Sequence, residues 1–418
     1  MIDPARTIAT AHDGRPVVVL LQGPLGPFFA DLARAMRSQG WRTVRVFFNA
    51  GDAYYGWAEQ EVPYQGRPES WAAFFDQLIA DQAPHAVLAY GDSRFYHREA
   101  RQVCAEADVP FFALEEAYVR PGYVAMEPGG NNANSRFPDR FLADPDSPPA
   151  VPPPAPLDHP PSFSRQGWFA FLYYIAKDWN PAGYRAYRHH RPGSWFSEMM
   201  AWLNGARRKQ VWRFRDRRLA RRLERIGQTA PLFLLPLQVA VDSQIRHHSP
   251  YDGMEPVIAD VLASFRDHAP PGAHLAIKHH PMDRGFRHYG RLIRRTARRL
   301  GLEGRVHHGT DWPLAPLLAV CRGVVTVNST VALEALWAGV PVCCLGQAMV
   351  ARAGLTSSRP LDRFWADPGT VDRGRVARYR ARLIAETLVP GSFYVYRRET
   401  AHRLARYLAG ALMASDRA

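Results

Sequence analysis

The chain has 418 residues, 47% of them apolar and 22% charged, with a formal net charge of +14. That length suits two globular domains with ordinary cores. No apolar run approaches the ~18 residues of a membrane-spanning helix and the first residues hold no apolar signal core, so any membrane contact is expected to be peripheral.

Residues 16–21 (PVVVLL) read as a buried strand, followed by the turn Gln22-Gly23-Pro24-Leu25-Gly26-Pro27 and a helix over FFADLARAMRSQG. A second strand, TVRVFFN, ends at Asn49-Ala50-Gly51-Asp52. This βαβ unit lacks the G-x-G-x-x-G spacing of a dinucleotide site. The turn serves strand-to-helix packing, yet Gln22 and Gly23 stand at a strand's carboxyl end, where an α/β sheet contacts substrate. A third strand, AVLAY, leads to Gly91-Asp92-Ser93-Arg94 and a helix carrying His97. Asp92 suits either a helix cap or an acceptor contact. The strand FFAL then ends on Glu115-Glu116, with Arg120-Pro121 close behind and Glu127 and Asn131 further along. Paired carboxylates after a buried strand suit a general acid or base at a cleft, or a salt bridge to Arg120.

Residues 144–161 are dense in proline and read as an extended linker after an N-terminal Rossmann-like domain, 1–143. Residues 162–226 are rich in Trp, Tyr, Phe and Arg, with Trp168, Trp179, Trp195, Trp202 and Trp212 among them. Basic helices with interleaved aromatics suit an anionic bilayer interface, and the same composition suits RNA or a plain solvated helical face. No RNA-binding signature accompanies them.

A second Rossmann-like domain is expected over 227–418, with a last helix that packs back on the body. Its strand PLFLLPL leads to Gln238, Asp242 and Gln244. HLAIK ends at Lys278, His279, His280 and Pro281, with Arg284 beyond. GVVTV ends at Asn328, Ser329 and Thr330 before a helix. Acid, imidazole and hydroxyl or amide groups at three strand ends point to one active site. Lys278, His279, His280 and Arg284 suit a phosphate or carboxylate clamp, and Asn328-Ser329-Thr330 suit a phosphate at a helix start or an ordinary N-cap. Asp242 suits a nucleophile, a base or a hydrogen-bond anchor. Cys104, Cys321, Cys343 and Cys344 lack metal-ligand spacing, so buried thiols in a reducing compartment are expected. No HExxH, EF-hand or Walker A sequence is present.

The ordered segments LQGPLGPFFADLA, FFNAGD, GDSRFYHREA, EEAYVRPGYVAME, GGNNANS, LQVAVDSQIRHHS, KHHPMDR, VVTVNSTVALEAL and GSFY resemble the capsule polysaccharide export family KpsS/LipB, understood as β-Kdo glycosyltransferases of capsule assembly. The resemblance covers most of residues 16–395 and departs at Ala117, where the family is expected to have glycine. It implies a GT-B-like pair of Rossmann-like domains, with nucleotide sugar in the C-terminal one and acceptor in the N-terminal one. The implied donor is CMP-β-Kdo, the acceptor a phosphatidylglycerol-type lipid or its lyso form, and the reaction a retaining transfer that starts the poly-Kdo linker. No metal or other cofactor is expected, and a KpsC/LipA-type enzyme and the capsule export machinery are implied partners. On this reading Asp242 is the nucleophile, and Glu115 or Glu116 the base. His280 and Lys278 assist the leaving phosphate, Asn328, Ser329 and Thr330 bind it, and Arg120 meets the Kdo carboxylate. The chain is then expected at the cytoplasmic face of the inner membrane, binding no nucleic acid. Extension of an existing Kdo linker and a non-catalytic assembly or export role are the alternatives.

Overall fold

The computed structural model describes residues 14–160, 162–179, 183–189, 193–239, 245 and 248–415. In chain order its strands are β1 (Val17–Leu20), β2 (Arg42–Phe47), β3 (Gln60–Pro63), β4 (Ala86–Tyr90), β5 (Phe111–Glu116), β6 (Tyr123–Pro128), β7 (Leu232–Pro236), β8 (His274–Lys278), β9 (Val306–Gly309), β10 (Gly323–Thr326), β11 (Val342–Cys344) and β12 (Leu388–Pro390). Among the described residues they form two sheets, of order β12-β6-β5-β4-β1-β2-β3 and β11-β10-β7-β8-β9. The second is parallel throughout, and the first is parallel from β5 to β3, with β6 and β12 antiparallel at one edge.

Each sheet has a helix-covered core, as near-continuous apolar strands require. In the first, Val18, Leu20, Leu88, Leu114 and Met126 face the helices Phe28–Arg37 and Arg397–Ser415, while Val19, Val46, Val87 and Ala113 face Trp71, Phe75 and Tyr96 on the other side. In the second, Phe233, Leu235, Leu275 and Val325 pack with Val257, Val261, Phe265 and Trp365.

Two compact units result: residues 1–136, 152–195 and 384–418, and residues 137–151 and 196–383. This division differs from the linear one expected of the sequence, for three physical reasons. The final helix puts Ala401, Leu404, Ala405 and Leu408 onto the apolar face of helix Phe28–Arg37, and β12 extends the ladder beyond β6. The proline-rich stretch is no free spacer: Leu157 N–H donates to Gly122 O (2.9 Å), and Tyr123 Oη donates to Pro154 O (2.6 Å). Phe137 and Phe141 instead bury against Tyr379 at ring separations of 5.0 Å in the second unit.

The aromatic-basic segment is likewise divided. Helix Phe163–Trp179 buries Ala170, Tyr173 and Tyr174 in the first unit and leaves Phe163, Trp168 and Trp179 exposed, Trp179 by 85%. From Phe196 onward, the 35-residue helix Trp195–Thr229 lies with the second unit. It is pinned by Asp216, fully buried, whose carboxylate accepts from Thr310 N–H (2.9 Å) and Asp311 N–H (3.1 Å). Phe196, Met200, Leu203, Val211 and Phe214 recur at intervals of three, four and, once, eight residues as an exposed apolar stripe among arginines. No helix among the described residues is long and apolar enough to cross a membrane.

Candidate active site at the strand ends

Both sheets reverse strand order once, between β1 and β4 and between β7 and β10. A crevice for ligand opens at the carboxyl ends flanking such a reversal. Each reversal here is bridged by a buried glutamine that follows its first strand.

In the first unit the bridge is Gln22. Its Nε2 donates to both oxygens of Asp52 (3.1 and 3.0 Å) and lies 3.1 Å from the hydroxyls of Tyr173 and Tyr187. Its Oε1 accepts from Arg94 Nη1 at 2.8 Å, so the end of β1 is tied to the end of β4. Asp52 also accepts from Phe48 N–H and Asn49 Nδ2 (3.1 and 3.0 Å). Burial raises the Asp52 carboxyl above its ordinary range, partly offset by the Gln22 hydrogen bond. Tyr173 approaches because residue 51 is glycine: a Cβ there would sit 2.7 Å from Tyr173 O. Gly23 has a packing role of the same kind, since a Cβ would come within 2.6 Å of the Phe29 ring.

Glu115 and Glu116 end β5, half-buried, on opposite faces of the strand. Glu115 follows Phe111 and Ala113 toward the Gly91 turn, and Glu116 follows Phe112 and Leu114. Burial pushes the Glu115 carboxyl up to about 7, against the pull of the Glu116 N–H and Arg94. Burial also raises Glu116, with Arg120 and His159 opposing. Arg120 is exposed and donates Nε–H to Ala117 O at 2.9 Å. Ala117 itself is buried without a positive φ, so its backbone conformation is open to any L residue.

Asp92 is otherwise occupied. It is buried, and its carboxylate accepts from Asn131 N–H, Asn134 Nδ2 and Ser93 Oγ at 2.7–2.9 Å. It braces the loop after β6 and does not cap the helix. Glu127 is buried in β6, bonded to Tyr118 Oη and Ser135 Oγ at 2.5 Å. His97 is held by Gly91 O at 2.7 Å, and burial drives it down to about 3, so it is neutral.

In the second unit the bridge is Gln238. Its Nε2 donates to Asn328 Oδ1 (2.8 Å), and its Oε1 accepts from Asn328 N–H (3.1 Å). Ser329 Oγ accepts from Val331 N–H at 3.3 Å, and Thr330 precedes the two-turn helix Val331–Trp337. Asp242 and Gln244 lie outside the described residues. At the end of β8, Lys278 Nζ donates to Thr310 O (3.0 Å), and burial lowers its pKa from the ordinary lysine value. His280 is half-buried and accepts from Met282 N–H at 3.2 Å, while Pro281 is exposed. Arg284 is ion-paired with Asp311.

His279 does not join the clamp. Strand alternation turns it inward, and it is fully buried beside His288, Tyr289 and His308 at ring separations of 5.6–5.8 Å. Burial and the neighbouring His288 ring lower it to about 4. All four cysteines are free thiols. Among the described residues no group of three or more His, Cys, Asp or Glu side chains is arranged to hold a metal ion.

The structure thus gathers Gln22, Glu115 and Glu116 at one sheet's carboxyl edge, and Gln238, Lys278, His280, Asn328, Ser329 and Thr330 at the other's. It adds Arg94, Asp52, Tyr173 and Tyr187, which the sequence reading did not select. Arg94 was signalled by its place in GDSR after a strand, and Asp52 by its place after β2. The tyrosines, more than 100 residues downstream of Gln22, carried no signal.

The model of the family described as capsule polysaccharide biosynthesis protein matches residues 85–394. The capsule polysaccharide export protein KpsS of Escherichia coli is 35% identical over 380 residues, covering 90% of this chain and 96% of that one. The capsule polysaccharide modification protein LipB of Neisseria meningitidis serogroup B is 35% identical over 384 residues, covering 90% and 91%. The solved structure of Thermosulfurimonas dismutans KpsC, described as a beta Kdo 2,7 transferase, aligns with a TM-score of 0.45 at 16% identity, covering 87% of this chain and 89% of that one. With a family match over residues 85–394 and 35% identity to these relatives across 90% of its length, the chain belongs to the capsule polysaccharide biosynthesis family that includes KpsS and LipB.

Proposed function

We propose that this protein is a retaining β-Kdo transferase that moves Kdo from CMP-β-Kdo to a phosphatidylglycerol-type lipid and so starts the linker of a capsular polysaccharide. The observation that carries the proposal is the gathering of Gln22, Glu115 and Glu116, and of Gln238, Lys278, His280 and Asn328, at the carboxyl ends of two Rossmann-like sheets in a chain of this family. That placement supports a GT-B type of glycosyltransferase, donor in the C-terminal unit and acceptor in the N-terminal one.

A retaining double displacement needs a carboxylate nucleophile and a second group that deprotonates the acceptor. Asp242 attacks the anomeric carbon, the bond to the CMP phosphate breaks, and a covalent Kdo adduct forms. Glu115, with a carboxyl poised at about 7, then takes the proton of the lipid hydroxyl as that oxygen displaces Asp242. Lys278 and His280 offset charge on the departing phosphate, with Asn328, Ser329 and Thr330 beside it and Gln238 holding Asn328 in place. Arg120 meets the Kdo carboxylate. The reaction routes no step through a metal.

The exposed aromatics of helix Phe163–Trp179, the apolar stripe after Trp195 and the +14 charge support docking on an anionic lipid surface. Turnover of CMP-Kdo tests the mechanism. D242N is expected to lose it, and full turnover by D242N contradicts the nucleophile. Transfer confined to Kdo-capped lipid would move the protein to linker extension.

A further inference from the structure

Arg94 stands at the carboxyl end of β4, where the first sheet reverses strand order, and is half-buried. Among the described residues the one hydrogen-bond partner of its guanidinium is neutral, Gln22 Oε1 at 2.8 Å, and the guanidinium lies 5.5 Å from the Tyr90 ring centroid. It makes no ion pair within 4.0 Å among the described residues, whereas Arg15, Arg37, Arg98 and Arg397 of the same unit each have a carboxylate. Glu115 and Asp52 feel the charge of Arg94 but neither touches it, so most of its N–H fork is left for an anion from outside.

The orientation is built from below. Asp52 accepts from Nε2 of Gln22, which leaves Oε1 as the atom facing Arg94. Phe48 N–H, Asn49 and Tyr173 hold Asp52 in turn. The buried chain Asp52–Gln22–Arg94 therefore sets the angle of a charged group at the place where this fold takes ligand.

We infer that Arg94 binds the phosphodiester oxyanion of the acceptor lipid, and that Gln22 and Asp52 are positioning residues that aim it. The inference rests on the acceptor assignment made above. It adds a recognition element distinct from the base Glu115: the acceptor's charge is read by Arg94, and its hydroxyl proton is taken by Glu115.

The test is equilibrium titration of the full-length protein with dihexanoyl-phosphatidylglycerol below its micelle concentration, with uncharged dihexanoylglycerol as control and no donor present. Wild type is expected to prefer the anionic lipid, and R94Q to lose that preference by about 10- to 100-fold. R94K is expected to recover part of it, which separates recognition from folding. Q22E is expected to lose it as well, because it gives Arg94 a carboxylate of its own. Acceptor KM and kcat are read in parallel, and a rise in KM larger than the fall in kcat supports positioning. R94Q binding the anionic lipid like wild type overturns the inference, as does a change confined to the donor KM. Loss of binding in R94Q, alongside a wild type that binds but transfers nothing, keeps the anion site and sinks the transferase reading.

Discussion

E115Q is expected to make the protein inactive and, above neutral pH, more stable. Burial raises the Glu115 carboxyl from 4.5 to about 7. A group whose folded pKa lies above its unfolded value stabilises the fold below the unfolded value, and that contribution is lost as pH rises through the folded one. The window is therefore pH 4.5 to about 7. At about 1.36 kcal/mol per pH unit, the ionised carboxylate costs the fold about 3 kcal/mol at pH 8 relative to the protonated acid. Glutamine copies the shape of the neutral acid and avoids that cost. Thermal unfolding of both proteins at pH 5 and pH 8 measures it: E115Q should come within about 1 kcal/mol of wild type at pH 5 and melt clearly higher at pH 8. In the transfer assay wild type should gain about tenfold in kcat from pH 6 to pH 8 as the base ionises, and E115Q should lose about 10²- to 10⁴-fold. A melting difference equal at both pH values, or a flat wild-type pH profile, would refute the reasoning. E116Q separates the two carboxylates, because Glu116 faces the other side of β5.

Other outcomes follow from the same geometry. D216A strands the N–H groups of Thr310 and Asp311, so denaturant unfolding should show a loss of about 2–4 kcal/mol in the second unit. Burial holds His279 at about 4 and His308 at about 3, below the ordinary imidazole value of 6.5, so their contribution is present above 6.5 and lost as pH falls toward those values. Acid unfolding of wild type should accordingly begin below 6.5, and H308F should shift it to lower pH. Sedimentation with anionic vesicles should be strong at low salt and weaken as the Debye length shrinks, and replacing Trp168 and Trp179 by serine should reduce it. Failure to bind such vesicles at any salt concentration would remove the membrane surface from the account.

The strands and their polar ends were legible because apolar runs, proline and glycine punctuate this chain clearly. β1, β4, β7, β8 and β10 all fall where the apolar runs place them. Strand alternation decides more at the end of β8 than the motif does. Lys278, His279, His280 and Arg284 read as a clamp of four, yet alternation points His279 into the core between Lys278 and His280. Asp92 looked available because its partners Asn131 and Asn134 lie about 40 residues away. Long-range returns were hidden for the same reason. The final helix carries an ordinary amphipathic pattern, and nothing local in it names helix Phe28–Arg37 as its partner. Gln22 was singled out as a contact at a strand end, but its role as a bridge depends on Asp52, Arg94 and Tyr173 meeting in space.

Incubating the purified protein with CMP-Kdo, generated in place, and a fluorescent phosphatidylglycerol, and weighing the lipid product by mass spectrometry, tests the central claim most directly. The account predicts a gain of one Kdo by wild type and none by D242N. No gain on bare lipid and none on Kdo-capped lipid would contradict it, and would leave an assembly or export role as the reading to pursue.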